Sequence, residues 1–126
     1  MEDVRQVMPL ATGWRFARGE RVEATDSGLD DRDWEAVRVP HDFAITGPFA
    51  RENDIQITTI QQDGLWEDGE HVARTGGLPH VGVAWYRLSI AVPAAATPRR
   101  YFLEFDGVMA NSEVFVNGCS LGSWPY

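Results

Sequence analysis

Asn117-Gly118 stands between two short runs of alternating side chains, Glu113 to Val116 and Leu121 to Trp124. Both central residues of a two-residue hairpin turn need positive φ, and Asn-Gly supplies it at little cost. The dipeptide therefore predicts an antiparallel hairpin, and much of the chain repeats the same two-residue period. From Trp85 to Val92, Tyr86, Leu88, Ile90 and Val92 fall on one face and Trp85, Arg87, Ser89 and Ala91 on the other. Tyr101, Leu103 and Phe105 share one side of a further run, closed by the turn Asp106-Gly107. Trp14-Arg15-Phe16 and Val37-Arg38-Val39 alternate too, the latter stopping at Pro40 as an edge or terminal strand does. Ile55 to Ile60 reads as one more short strand inside the least regular stretch, Ala50 to Val81. The rest of that stretch reads as a long loop, punctuated by Asp63-Gly64, Asp68-Gly69, Gly76-Gly77 and Pro79.

No segment keeps a 3.6-residue period over three turns, and no repeat or internal domain boundary is visible. The expected class is all-β, with antiparallel strands joined by turns. About six strands are legible against about eight in a jelly roll. The reading is thus an antiparallel jelly-roll β-sandwich over residues 1–126, incomplete at its C-terminal strands, with sheet edges left open.

Composition excludes several functions. A net charge of -8 argues against a nucleic-acid groove and against an anionic membrane surface, and it is compatible with a neutral sugar. The single cysteine, Cys119, rules out an internal disulfide and fits a reducing compartment. Met1-Glu2-Asp3-Val4-Arg5 lacks the pattern of a signal peptide. No apolar run approaches the roughly 20 residues a membrane span needs. The expectation is a soluble, cytoplasmic chain. There is no Gly-rich phosphate loop, the serines lack a nucleophile-elbow context, and His41, His71 and His80 show no zinc-ligand spacing. No cofactor, metal site or complete catalytic site is expected. Glycoside hydrolysis needs two carboxyl groups at a defined gap, and an abundance of acids is not such a pair.

Six strings taken in order carry a resemblance. They are Gly13-Trp14-Arg15-Phe16, Asp33-Trp34-Glu35-Ala36-Val37, Val39-Pro40-His41-Asp42-Phe43, Thr75-Gly76-Gly77-Leu78-Pro79, Gly82-Val83-Ala84-Trp85-Tyr86-Arg87, and Phe105-Asp106-Gly107-Val108 leading into Val114-Phe115-Val116-Asn117-Gly118. Each alone is weak, but the series resembles the N-terminal sugar-binding domain of family 2 glycoside hydrolases, β-galactosidase-like members in particular. The resemblance implies a jelly-roll domain packed against a later catalytic barrel that holds the acid/base and nucleophile glutamates. By that analogy the chain alone is inactive, and its partners are a β-galactoside or related sugar and the catalytic domain of the same polypeptide.

Four residues stand out as candidate sugar ligands. His41 and Asp42 follow a strand and a proline, where they would meet sugar hydroxyls or orient a loop; the competing reading is a turn pair, with Asp42 accepting local backbone N–H groups. Arg74 and His80 flank Gly76-Gly77 in the loop before Trp85, which in similar enzymes approaches the active site. The competing reading is a surface loop. Val83-Ala84 departs from the commoner Gly-Gly-x-Gly ending of that loop. Trp66 is the expected exposed stacking aromatic, Trp85 a core residue, and Trp124 a further stacking candidate, while Cys119 reads as a turn residue. A stand-alone carbohydrate-binding module and a purely structural domain remain the competing functions.

Overall fold

The computed structural model describes residues 5–50, 55–72, 80–92, 94, 99–109 and 111–125. Among them the fold is all-β and wholly antiparallel. Seven strands run in the order β1 (Trp14–Arg18), β2 (Glu35–Val37), β3 (Ile55–Gln62), β4 (Leu65–Val72), β5 (Ala84–Arg87), β6 (Ser112–Val116) and β7 (Cys119–Trp124). One 3₁₀ turn, Val22–Thr25, follows β1. The strands form a three-stranded sheet, β2-β1-β5, and two hairpins, β3-β4 and β6-β7.

The central sheet explains itself from its register. Phe16 sits opposite Tyr86 and Glu35, while Ala17 sits opposite Trp85. Directly paired residues project to the same side of an antiparallel sheet. One face therefore carries Trp14, Phe16, Arg18 and Tyr86, and the other Arg15, Ala17, Trp85 and Arg87. Phe16, Ala17 and Ala24 are the buried apolar residues of the described chain.

The second face meets two elements. The Trp85 ring lies 6.0 Å from that of Phe115 on β6. Arg87 donates from Nε to Asp31 Oδ2 at 2.9 Å and from Nη1 to the Ala24 and Asp26 carbonyls, with its guanidinium 6.0 Å from the Trp34 ring. A planar fork with this many acceptors ties the segment after the 3₁₀ turn to β5.

The β6-β7 hairpin forms as expected, with Asn117 at φ 50° and Gly118 at φ 82°. Its pairing slips between Val114 and Phe115, where an extra residue on β7 bulges the ladder. Three other expectations need correction. The middle of the chain is not chiefly a loop: residues 55–72 make a full hairpin, turned by Asp63 at φ 51° and Gly64 at φ 81°. Its second strand, Leu-Trp-Glu-Asp-Gly-Glu-His-Val, has no clean alternation, which hid it. The strand before Pro40 lies at Glu35–Val37, because the pairing with β1 ends at Trp14 opposite Val37 and Val39 N–H turns instead to the Ala11 carbonyl at 3.0 Å. Lastly, β5 stops at Arg87 and residues 101–105 are not a strand. A strand needs a ladder, and neither 88–92 nor 101–105 has a partner strand among the described residues.

Candidate functional site

The first face of the central sheet holds the turn that follows β2. Arg18, at the end of β1, reaches over two rings, 5.2 Å from the Phe16 centroid and 5.9 Å from that of Phe43. Its Nη2 donates to the Phe43 carbonyl at 2.8 Å and to Thr46 Oγ1 at 2.7 Å. Cation–π attraction and two hydrogen bonds thus hold the 43–46 turn against β1. Phe16 forms the floor, with ring contacts to His41 at 4.9 Å, Phe43 at 6.0 Å and Tyr86 at 5.0 Å.

His41 stands over this floor. Its Nδ1 lies 2.8 Å from the Tyr86 hydroxyl oxygen, and the two rings meet edge to face at 5.7 Å. Asp42 is exposed and closes an Asx turn, accepting the Ala44 N–H on Oδ1 at 2.9 Å. That is the local role open to any Asp in such a turn. The carboxylate is also felt inside the cluster: burial pushes the Tyr86 phenol pKa up, Asp42 and more weakly Glu35 push the same way, and Arg18 opposes them.

His80 closes the far side. Its N–H donates to the Ala44 carbonyl at 3.2 Å, and its ring lies 6.2 Å from that of Phe43. Gly47 makes this approach possible, because a Cβ there would sit 2.3 Å from His80 Cβ. The fold therefore joins His41, Asp42 and His80 in one cluster around Phe43. Arg74 lies outside the described residues. Trp66 and Trp124 are exposed and Trp85 belongs to the opposite face, so none of the three is in the cluster.

Arg18 and Tyr86 escaped the sequence reading. Tyr86 reads as an ordinary core aromatic until its register with Phe16 is known. Arg18 carried a faint signal, lying two residues after Phe16 and hence on the same face. Together the cluster offers apolar ring faces, imidazole nitrogens and one exposed carboxylate, a set suited to hydrogen-bonding a neutral polyol.

No family model matches the chain. Relatives among known proteins are clear nonetheless. The chain is 41% identical over 115 residues to a β-galactosidase, BoGH2A, of Bacteroides ovatus, an alignment covering 90% of this chain and 11% of that protein. Along nine tenths of its length the chain is thus similar to one segment of a much longer family 2 glycoside hydrolase. A putative β-glucuronidase of Formosa agariphila is 30% identical over 113 residues, with 90% of this chain and 9% of the relative covered. A β-glucuronidase of the same organism is 26% identical over 109 residues, covering 86% and 10% respectively. The chain thus spans about a tenth of the length of these family 2 relatives.

Proposed function

We propose that this chain is the sugar-binding, jelly-roll part of a larger retaining glycoside hydrolase of the β-galactosidase type. The catalytic carboxylates would be carried on a barrel domain elsewhere in the same polypeptide. The observation that carries this reading is 41% identity to a β-galactosidase along 90% of the chain, with only 11% of that enzyme covered. His41, Asp42 and His80 would line the pocket wall that receives the terminal sugar.

A neutral galactoside suits the cluster better than a glucuronide. The chain carries a net charge of -8. Asp42 is exposed beside the cluster, and the Arg18 guanidinium is engaged by the Phe43 carbonyl and the Thr46 hydroxyl. A sugar carboxylate would meet repulsion from the Asp42 carboxylate. The segments 88–92 and 101–105, without a partner strand among the described residues, also fit a sandwich with further strands beside them.

Titration of the chain with methyl β-galactoside and methyl β-glucuronide, read by tryptophan fluorescence, tests the binding role. A saturable response to the galactoside at about millimolar concentration is expected, weaker or absent with the glucuronide and lost in Asp42→Ala. Silence with both sugars in a chain that keeps its sheet circular dichroism would overturn the role. The pure chain should release no nitrophenol from nitrophenyl β-galactoside, and turnover would overturn the assignment of the chemistry to another domain.

A further inference from the structure

We infer that Tyr86 is a positioning residue: its hydroxyl donates to His41 Nδ1, holds the neutral imidazole in the form protonated on Nε2, and so fixes the ring's one N–H donor on Nε2. Only the identity of what takes that donor, a hydroxyl oxygen of the sugar, rests on the sugar-binding reading.

The direction of the hydrogen bond follows from what each partner has left to satisfy. Nδ1 and the phenol oxygen are 2.8 Å apart, so one proton lies between them. If Nδ1–H donated, the Tyr86 hydroxyl proton would need another acceptor, and the described residues provide none. If the phenol donates, its proton is used and Nδ1 supplies its lone pair. The second arrangement leaves nothing orphaned on the half-buried tyrosine. Phenols are also better donors than acceptors, since the oxygen lone pair is delocalised into the ring, whereas an unprotonated imidazole nitrogen is a strong acceptor. Burial and the nearby Asp42 carboxylate keep the phenol protonated through neutral pH.

The ring has little freedom to reverse. Phe16 meets it at 4.9 Å with planes inclined by 64°, and Tyr86 at 5.7 Å with planes inclined by 72°. A reversed ring would put Cδ2 where Nδ1 stands and lose its bond to Tyr86. Nε2, the remaining ring nitrogen, has no partner among the described residues. An imidazole fixed in this way delivers a donor of known place and sign, as second-partner hydrogen bonds do elsewhere for histidine.

The chain contains only three histidines, so ¹⁵N-histidine labelling gives an uncrowded spectrum. Long-range ¹H–¹⁵N correlations, recorded above about pH 8.5 where an imidazole of ordinary pKa is neutral, distinguish the two tautomers directly. His41→Gln assigns the signals. His41 is expected as the Nε2–H form, and Tyr86→Phe, which keeps the ring packing, should turn it into a mixture of both forms while His80 stays unchanged. An Nδ1–H form in the parent chain, or an unaltered tautomer in Tyr86→Phe, would overturn the inference. Should Tyr86→Phe fail to fold, the parent spectrum alone still decides. In the fluorescence titration, Tyr86→Phe should weaken methyl β-galactoside by roughly 3- to 10-fold, as loss of one ordered hydrogen bond implies. Adding it to His41→Gln should weaken binding no further; a further loss would overturn the claim that Tyr86 acts through His41. A tautomer change in a chain that binds neither sugar would uphold the role of Tyr86 and sink the sugar reading.

Discussion

Gly47 shows how a single hydrogen atom can decide a site. Its backbone lies in a region any residue could adopt, so its value is steric. A methyl group there would overlap His80 Cβ at 2.3 Å, and that atom cannot swing away because the His80 N–H is fixed to Ala44. Gly47→Ala should therefore push the turn and the strand approach apart and destabilise the chain by about 1–3 kcal/mol; thermal denaturation reads the loss, and an unchanged midpoint would contradict it. Tyr86 gives a residue-scale pH effect. Its phenol pKa is raised in the folded chain, so folding holds that proton more tightly than the unfolded state does. The resulting stability is whole below the ordinary tyrosine value of 10.0 and is lost as pH rises through the higher folded value. The melting temperature should fall above that pH, and Tyr86→Phe should flatten the fall; equal slopes in the two proteins would rule this out.

At the scale of elements, Arg87 does for the second face what Arg18 does for the first. It is mostly buried, with the side chain 15% exposed, and its partner Asp31 is 24% exposed. Arg87→Lys keeps the charge and loses the fork, and should cost about 2 kcal/mol, the scale of a charge-assisted hydrogen bond in a partly buried site. Hydrogen exchange should then quicken in residues 24–34 before it does in β1. Uniform exchange across both would argue against Arg87 as the tie. The same scale explains what was legible in the sequence. The β6-β7 hairpin announced itself because all its information is local: two alternating runs and the Asn-Gly between them. The β3-β4 hairpin did not, since its turn was read as loop punctuation and its second strand is rich in acids. The end of β5 was invisible for another reason, since its ladder length is set by β1, about seventy positions earlier. Site residues divide likewise. His41 and Asp42 stand out as candidates from their place after Pro40, whereas Tyr86 and Arg18 gain meaning only once distant strands are set in register.

Viewed whole, the described chain buries little. Phe102 is 79% exposed, Trp66 69% and Tyr101 63%, and no large side chain is fully buried. Open aromatics in such number leave a large apolar surface among the described residues. The isolated chain should bind the dye ANS and self-associate as its concentration rises, as sedimentation would show. A strict monomer with one sharp heat transition and no dye binding would count against that. The family 2 relationship was legible at this scale before any coordinates, because ordered strings spread along the chain constrain ancestry more tightly than any one of them constrains chemistry.

Trp85 offers a measurable handle on the packing of the sheet. Its indole N–H is shut away from water and has no acceptor among the described residues, a costly state for a polar group. A repacking of the sheet face that brought a carbonyl within reach would relieve that cost. The indole proton would then move downfield, so this one resonance serves as a built-in gauge of how that face is packed.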